Sequence, residues 1–330
     1  MNDIKAVLTT VRYDKEHLER LIRAFAPAPV YHFDPEDEQG IRSVLDKVDV
    51  AVLDADLNDL ILEAPGLRWI HCSHAGLTKS ARPAVFERGI ILTGAAGRSA
   101  PSLAEHVFFF MLSHVYDAAR LREAQNAHDW SRFSKQYAGS RGLSGQTIGI
   151  IGLGNTGKAV AERAKAFRMR VLAYSRSAQA QTPEHVDEFF ALDSGDTIDR
   201  LIRESDFVVL CCHLSNETYH MIGAEQFAAM KPTACLVNLS RGSVVDEDAL
   251  YHALKNHVIA GAGSDVFETE PLPADSPLWD LPNMTITPHS TPRVADMHGN
   301  ALDILADNIR RYKNGEPMRN RVTARDIYTK

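Results

Sequence analysis

Short apolar runs alternate with longer amphipathic segments along nearly the whole chain. In the first hundred residues, the apolar runs predict short buried strands at residues 4–10, 48–53, 68–73 and 90–94. A single long helix is predicted over Ser102–Arg122, because apolar residues recur there at helical spacing. Strands that alternate with helices are typical of an α/β protein.

The same alternation resumes after residue 146. Six strands are predicted, at residues 148–151, 169–174, 206–211, 234–239, 259–263 and 284–287. Crossover helices are predicted at Ile198–Glu204, Ala224–Met230 and Asp246–Lys255, and a last helix at Arg293–Asn314. Apolar strands bounded by helices indicate a doubly wound parallel sheet with both faces covered.

The first of these later strands runs directly into a glycine turn, Gly152-Leu153-Gly154-Asn155-Thr156-Gly157, and a helical pattern follows. This order of strand, turn and helix is typical of a site for a dinucleotide pyrophosphate. Gly152 allows the tight turn, Gly154 lets the backbone approach the phosphates, and Gly157 lets the helix pack on the strand. The helix N-terminus offers N–H groups and a partial positive charge to the anion. We therefore predict a dinucleotide-binding domain, with a structural glycine turn as the alternative.

The glycine turn lies near the middle of the chain, so folded segments are expected on both sides of the nucleotide unit. The simplest assembly is a substrate domain formed by residues 1–101 and 291–330, interrupted by a nucleotide domain at 102–290. Ligands often bind in clefts at domain interfaces. We therefore expect substrate to meet cofactor in a cleft between the two domains.

Composition narrows the class of protein. The 330 residues are 45% hydrophobic and 24% charged, which is ordinary for a soluble globular protein. A formal charge of -7 without a long basic run argues against nucleic acid and membrane surfaces as partners. The N-terminus has no apolar core of signal-peptide length, and no apolar run is long enough to span a membrane. Four cysteines without a CxxC pair predict free thiols, no metal site and a cytoplasmic location.

The end of the second strand of the nucleotide unit bears on the choice of cofactor. That strand ends in Tyr174-Ser175-Arg176-Ser177. At about this position, NAD-binding domains carry an acidic residue that binds the ribose hydroxyls and repels a 2′-phosphate. Here the acid is absent, and a guanidinium lies between two hydroxyl side chains that can bind a phosphate. The sequence therefore favours NADP(H) over NAD(H), with a solvated arginine in an exposed turn as the alternative.

Three polar residues, Arg241, Glu270 and His289, follow predicted strands and are expected at the edge of the sheet where ligands bind. Their side chains suit hydride transfer to a 2-keto acid. A guanidinium can hold the carboxylate and polarise the keto group, and an imidazole can donate a proton near neutral pH. A carboxylate behind the imidazole can fix its tautomer. Taken singly, each has an ordinary alternative, as a surface arginine, a solvated loop carboxylate or one of 14 histidines.

Several longer motifs resemble those of the D-isomer-specific 2-hydroxyacid dehydrogenases, over essentially the full length of the chain. In chain order they are SLAEHVFFFMLS (102–113), GLGNTGKAVAERAKAF (152–167), DFVVLCCHLSNET (206–218), MKPTACLVNLSRGSVVDEDAL (230–250), SDVFETEPLP (264–273) and TPHS (287–290). The resemblance implies a Rossmann-type doubly wound sheet inserted into a smaller flavodoxin-like α/β substrate domain. It implies that Arg241 anchors the substrate, that His289 is the acid/base and that Glu270 is its partner. It also implies that Ala75 and Gly76 grip the substrate carboxylate through backbone N–H groups.

The same resemblance extends the cofactor site and suggests an assembly. It implies that Asn155 and Thr156 contact the pyrophosphate and that residues after the later strands contact the rest of the cofactor. Those residues are Cys212, Leu239, Ser240, Arg241, Asp265, His289 and Thr291. It further implies a homodimer built around the nucleotide domains and the long helix, with Trp130 at the border of a neighbouring subunit's site.

The implied activity is NADP(H)-dependent reduction of a small 2-keto acid such as glyoxylate, hydroxypyruvate or pyruvate. Ser175-Arg176 resembles the NADPH-dependent glyoxylate/hydroxypyruvate reductases. Thr78, however, replaces the aspartate usual in the substrate-domain turn, and His213 replaces a proline usual after the strand predicted at residues 206–211. Ser290-Thr291-Pro292 replaces small residues usual after the histidine. These departures leave the individual substrate open.

Two other functions remain alternatives. A phosphoglycerate dehydrogenase needs a phosphate clamp, for which the sequence offers only Arg12, Arg98 and Lys79. A nucleotide-sensing protein, similar to the corepressors related to these dehydrogenases, would keep the same catalytic trio but favour NAD(H). Formate dehydrogenases of the superfamily carry glutamine where Glu270 stands, which argues against that activity.

Overall fold

The computed structural model describes residues 3–131, 141–291 and 294–330. The chain divides into two compact units, of which the first comprises Met1–Ser99 with Arg293–Lys330 and the second Ala100–Pro292. Pro292 of the predicted departure and the predicted helix start at Arg293 lie outside the described residues. Among the described residues, no helix combines the length and the apolar character that crossing a bilayer requires.

In residues 3–99, short strands alternate with short helices. The strands are β1 (Val7–Thr9), β2 (Val30–His32), β3 (Val50–Leu53), β4 (Trp69–Cys72) and β5 (Ile91–Gly94), and the helices are α1 (Lys15–Phe25), α2 (Glu38–Arg42), α3 (Asp59–Leu62) and α4 (Pro83–Glu87). Asp14, Asp37 and Asn58 begin the first three helices, because each side chain accepts the backbone N–H three residues further on. The polar residues between the apolar runs thus set where these helices start.

Residues 100–291 contain two helices followed by a second alternation of strands and helices. The helices are α5 (Ala100–Val115), α6 (Ala118–Asn126), α7 (Asn155–Ala166), α8 (Asp199–Glu204), α9 (Ala224–Ala229) and α10 (Glu247–Lys255). The strands are β6 (Thr147–Ile151), β7 (Arg170–Ser175), β8 (Glu188–Ala191), β9 (Phe207–Leu210), β10 (Cys235–Asn238), β11 (Gly261–Ser264) and β12 (Met284–Ile286). The chain ends with α11 (Met297–Asn314) and β13 (Arg321–Val322), which belong to the first unit.

The first unit is built on a six-stranded sheet with the order β13-β5-β4-β3-β1-β2. Its first five strands are parallel in the flavodoxin-like order 2-1-3-4-5, and β13 adds to β5 antiparallel. Alternate residues of β3 face two separate cores, so that Ala51 packs with Ile70 while Val50 packs with Leu302 of α11. Because both faces are covered, the inner strands β1, β3, β4 and β5 of this sheet appear in the sequence as apolar runs.

The second unit is built on a seven-stranded parallel sheet with the order β12-β11-β10-β9-β6-β7-β8. Counted from β6, this is the Rossmann order 3-2-1-4-5-6 with a seventh strand beyond it. One face is covered by α5 and α7, since Val107 and Val160 belong to one core with Ile150 and Val209. The predicted fold class, a Rossmann-type sheet and a flavodoxin-like α/β unit, is confirmed.

Some predicted elements differ from the structure. The single helix predicted over Ser102–Arg122 is wrong, because α5 ends at Val115 and Asp117 adopts a left-handed conformation with φ of 46° before α6 begins. Aspartate tolerates that conformation better than most residues, so it can interrupt a helix without glycine. The last helix begins at Met297 rather than Arg293, with Asp296 accepting the N–H of Gly299 at 2.7 Å.

Candidate active site

The carboxyl ends of β6, β7, β9, β10, β11 and β12 lie at one edge of the second sheet, because these strands are parallel neighbours. Ligands of open α/β sheets bind at this edge. The chain places its predicted cofactor residues directly after these strands. They are Gly152 to Gly157 after β6, Ser175 to Ser177 at the end of β7, Cys212 after β9, Leu239 to Arg241 after β10, Asp265 after β11, and His289 and Thr291 after β12.

The glycine turn is shaped by a close backbone approach. Gly152 has φ of 101°, and a Cβ at this position would lie 2.4 Å from the backbone nitrogen of Cys212. Any other residue would therefore push the turn away from the segment that follows β9. Gly154 caps α7, and Asn155, Thr156 and the buried Gly157 form its first turn. Backbone N–H groups in the first turn of a helix have no partners within the helix and can bind an anion.

At the end of β7, the guanidinium of Arg176 is held by the segment that follows β9. Its Nε lies 2.8 Å from Glu217 Oε2, and one of its terminal nitrogens lies 3.5 Å from Ser215 Oγ. Ser175 is the last residue of β7 and Ser177 follows Arg176. Glu217 was not among the predicted site residues, because nothing in the local pattern around 217 shows that it would meet Arg176.

The turn that carries Arg241 is organised by Asn238, the last residue of β10. The buried Asn238 amide oxygen accepts both the N–H and the hydroxyl of Ser240, at 3.0 and 2.7 Å, and its amide nitrogen donates to the carbonyl of Arg241. Gly242 then packs so closely that a Cβ would lie 1.8 Å from the carbonyl carbon of Phe267. The Arg241 turn is therefore locked against the backbone that leads to Glu270.

Glu270 and His289 form a direct pair. His289 Nδ1 lies 2.6 Å from Glu270 Oε2, and Glu270 Oε1 accepts the backbone N–H of Phe267 at 2.9 Å. With Nδ1 donating to the carboxylate, the second ring nitrogen, Nε2, is the one available to exchange a proton. The histidine side chain is 48% exposed, so the ring is not sealed in the core.

The backbone around His289 is strained. His289 has φ of 49°, in the left-handed region that residues other than glycine seldom adopt. The buried carboxylate of Asp265 holds the residues on either side of it. One oxygen accepts the Thr287 hydroxyl at 2.5 Å and the N–H of Ser290 at 3.2 Å, and the other accepts the Thr291 hydroxyl at 3.2 Å. Asp265 thus secures the turn that presents the histidine ring.

A second histidine, His106 of α5, contacts the same turn from the helix. Its two ring nitrogens lie 3.1 Å from Thr291 Oγ1 and 3.3 Å from Thr287 Oγ1, and its ring stacks on Phe110 at 4.7 Å. Burial lowers the pKa of His106. Because both threonine hydroxyls donate to Asp265, the neutral ring donates its one N–H to one of these two oxygens and only contacts the other. The motif around His106 is part of the predicted family pattern, but its contact with this turn was not predicted.

In the first unit, the turn after β4 carries Ala75 and Gly76. The chain continues from β4 through Ser73, whose N–H is bonded to Leu53 O at 2.7 Å, and reaches Gly76 with φ of 79°. In the described ranges, the buried hydroxyl of Thr78 has no hydrogen-bond partner. Thr78 places an uncharged hydroxyl where the resemblance places an aspartate.

The four cysteines, Cys72, Cys211, Cys212 and Cys235, are free, as predicted. Within the residues that the structure describes, no group of three or more His, Cys, Asp or Glu side chains could hold a metal ion.

The family model for the NAD-binding domain of D-isomer-specific 2-hydroxyacid dehydrogenases matches residues 108–291. A curated relative named glyoxylate reductase, from Korarchaeum cryptofilum, is 36% identical over 275 residues, which cover 82% of this chain and 78% of the relative. A D-3-phosphoglycerate dehydrogenase from Methanocaldococcus jannaschii is also 36% identical, over 269 residues that cover 82% of this chain but 50% of that relative.

Among solved structures, one similar to this chain is a D-isomer-specific 2-hydroxyacid dehydrogenase from Xanthobacter autotrophicus Py2, crystallised in complex with NADPH and MES. It superposes with a TM-score of 0.80 at 27% identity, covering 98% of this chain and 99% of that one. The match therefore extends over both units as well as over the sequence motifs.

Proposed function

The chain belongs to the D-isomer-specific 2-hydroxyacid dehydrogenases, and from that premise we propose that it is an NADP(H)-preferring reductase of small 2-keto acids. The proposed substrates are of the glyoxylate, hydroxypyruvate and pyruvate type. The observation that carries the proposal is the Glu270–His289 pair. His289 Nδ1 lies 2.6 Å from Glu270 Oε2, and the histidine follows β12 at the ligand-binding edge of the sheet. The glyoxylate reductase from Korarchaeum cryptofilum supports the same substrate class.

Each polar residue has a separate task in the proposed reaction. Arg241 binds the carboxylate of the substrate and polarises its keto group, since a guanidinium presents paired donors in one plane. His289 donates a proton from Nε2 to the oxygen of the keto group as it becomes an alkoxide. Glu270 holds Nδ1 and so keeps Nε2 as the nitrogen that carries the exchanged proton. When bound, the reduced nicotinamide supplies the hydride.

The residues present suit a dinucleotide. A Cβ at Gly152 would occupy the space between the turn and the segment after β9, and α7 begins directly beyond the turn. A Cβ built on Gly154 would meet no described atom within 4 Å outside the neighbouring residues, so the backbone at the N-terminus of α7 is open to a cofactor pyrophosphate. The proposed preference for NADP(H) rests on Ser175, Arg176 and Ser177 and on the NADPH in the similar Xanthobacter structure.

The turn at Ala75 and Gly76 is proposed to bind the substrate carboxylate through backbone N–H groups. Gly76 has φ of 79°, and a change of conformation at such a residue can turn successive N–H groups toward one anion. The neutral hydroxyl of Thr78 suits a small, uncharged substituent on the substrate better than it suits a second anionic group.

The test is steady-state oxidation of NADPH and of NADH with glyoxylate, hydroxypyruvate, pyruvate and 3-phosphohydroxypyruvate. We expect turnover with at least one of the first three and a higher kcat/KM with NADPH than with NADH. Cofactor binding without turnover of any of these acids would overturn the enzyme proposal and favour a nucleotide sensor.

The second candidate is phosphoglycerate dehydrogenase activity, which the relative from Methanocaldococcus jannaschii favours. It would require a cation near the substrate-domain turn, and Lys79 and Arg98 belong to the same unit as that turn. A preference for 3-phosphohydroxypyruvate over the three smaller acids would establish this candidate in place of the first.

A further inference from the structure

Arg176, the proposed phosphate-binding cation, is paired with a carboxylate. Glu217 Oε2 lies 2.8 Å from Arg176 Nε, and the two side chains are 36% and 23% exposed. An ion pair in this partly buried setting is screened less by solvent than a pair on the open surface. Glu217 is therefore part of the electrostatic environment of any group that Arg176 binds.

The position of Glu217 is fixed by a tight turn. The fully buried Ser215 donates its N–H to Thr218 Oγ1 at 2.8 Å, and the Thr218 hydroxyl donates to the carbonyl of His213 at 2.8 Å. The N–H of Glu217 itself donates to Ser215 Oγ at 3.3 Å. These bonds hold the backbone of the turn from which the glutamate side chain reaches Arg176.

The carboxylate of Glu217 bears on cofactor choice because the end of β7 carries no acidic residue. Rossmann domains that bind NAD carry an acid at the end of the second strand, where it accepts hydrogen bonds from the ribose hydroxyls and repels a 2′-phosphate. Here β7 ends in Ser175 instead. Glu217 supplies a carboxylate to the same region from the neighbouring segment, beside Arg176. One place therefore holds both a cation suited to a phosphate and an acid suited to free hydroxyls.

We propose that Glu217 is a cofactor-specificity residue that limits the preference for NADP(H) and allows NAD(H) to bind as well. It opposes the 2′-phosphate as a like charge, while Arg176 attracts it. With NAD(H), the carboxylate accepts the ribose hydroxyls and Arg176 neutralises it. This inference rests on the cofactor site in the proposed function and adds a determinant that acts against its preferred cofactor.

The experiment measures dissociation constants for NADPH and NADH directly, from the fluorescence of the bound nicotinamide, in the full chain and without substrate. For Glu217→Gln we expect NADPH to bind about tenfold more tightly, because one like charge near the phosphate is removed. NADH should bind several-fold more weakly, because the amide is a poorer acceptor for ribose hydroxyls. Arg176→Gln should shift the ratio of the two constants in the opposite direction.

Glu225→Gln is the matched control, since Glu225 is an exposed residue of α9 and its change should leave the ratio as it is. Glu217→Asp tests the same idea with the charge retained. The shorter side chain draws the carboxylate back by one methylene. The ratio of the two dissociation constants should therefore shift toward NADPH by less than in Glu217→Gln.

Two results would overturn the inference. One is a ratio in Glu217→Gln that equals the ratio of the unmodified chain. The other is weaker NADPH binding relative to NADH in that variant, which would mean that Glu217 serves only to hold Arg176 in place. Because no substrate is present, these outcomes are separate from loss of turnover, which tests the proposed reductase activity.

Discussion

The carboxylate of Glu270 contacts two groups at once, the backbone N–H of Phe267 and the ring of His289. In the proposed reaction Glu270 acts through the ring, whereas His289 exchanges the proton itself. For His289→Gln we therefore expect kcat to fall by about 10²- to 10⁴-fold, the range attributed to general acid–base catalysis. The dissociation constant of NADPH should change little. His252→Gln, at an exposed position of α10, is the control.

The dependence of Glu270 on His289 can be tested with a double variant. Glu270→Gln alone should lower kcat by roughly tenfold, since the amide cannot serve as a charged partner for the ring. Combined with His289→Gln, it should cause no further loss, because residues that act as a unit are not additive. Steady-state kinetics of the two single variants and the double variant decide the matter. Two independent losses that multiply would show that Glu270 acts without His289.

Glu270 and His289 were singled out in the sequence because each follows an apolar strand, and their predicted roles came from the family resemblance. Asn238, Glu217 and His106 were not found. Asn238 acts through the turn at Ser240, Glu217 meets a residue 41 positions earlier in the chain, and His106 contacts residues beyond position 286. The roles of Glu217 and His106 depend on which elements are neighbours, and the sequence pattern alone does not give that arrangement. Asn238 makes only local contacts in this turn, but nothing in the pattern distinguishes its side chain from the rest of the buried strand.

At the scale of single elements, α5 supports the turn that presents His289. His106→Phe keeps a ring that can stack on Phe110 and removes both contacts to Thr287 and Thr291. Because φ of His289 lies in a sparsely populated region, loss of these contacts should let the turn relax. We expect kcat to fall by roughly tenfold, the effect of misplacing a catalytic group by a fraction of an ångström.

The readout for His106→Phe is the comparison of kcat with KM and with the NADPH dissociation constant. A positioning role predicts a lower kcat with nearly constant cofactor affinity. Phe109→Leu, on the exposed side of α5 next to Phe110, is the control for a change of ring packing on the helix. An unchanged kcat in His106→Phe would remove His106 from the supporting network.

The helices α1 and α11 are linked by an ionisable contact at their N-termini. His17 Nδ1 lies 2.8 Å from Asp14 Oδ1, and its Nε2 lies 3.1 Å from Asp296 Oδ1. The hydrogen bond with Asp14 and, after it, the contact with Asp296 raise the pKa of His17 in the folded protein. A raised pKa means that His17 stabilises the fold fully at pH values below its unfolded pKa. This contribution is lost as the pH rises through the folded pKa.

The corresponding prediction concerns His17→Gln. At pH 5.5 the variant should melt roughly 1–3 °C below the unmodified chain, the size expected for a partly exposed pair in a domain of this length. At pH 9 the two melting temperatures should coincide. Circular dichroism at the two pH values gives the comparison, with His252→Gln, at an exposed position of α10, as the control. An equal difference at both pH values would show that His17 contributes through packing and not through its charge.

Burial separates most of the predicted strands from the missed ones, although β12 was predicted with all three of its residues half-buried. The strands β3, β4, β6 and β9 were predicted because every residue in them is buried, which leaves an apolar run in the sequence. The strands β2, β8 and β13 were missed. Most of their residues are half-buried or exposed, so their sequences carry no such run. These strands pair with the edge of a sheet that the other strands form. The local sequence does not show that such an edge is near.

At the scale of the whole molecule, the assembly is the property that remains to be tested. The segment of α5 and α6 and the residues just after it expose large apolar side chains, of which Phe109 is 50% exposed, Leu121 39% and Trp130 98%. Exposed apolar side chains that are concentrated in one segment mark interaction surfaces in soluble proteins. The resemblance implies a homodimer through the same region, and a second copy is therefore the partner that we expect.

We predict a mass of twice 36.5 kDa by light scattering coupled to size exclusion, and a monomer for the double variant Phe109→Asp, Leu121→Asp. Charged groups in an apolar interface lose hydration without gaining partners, which disfavours association. Val258→Asp, at another exposed apolar position of the second unit, should leave the dimer intact. If the unmodified chain is a monomer, the predicted dimer is excluded. If the double variant stays dimeric, the interface lies elsewhere. Because Phe109 neighbours Phe110, which stacks on His106, a dimer through α5 would also bring the partner close to the helix that supports the His289 turn.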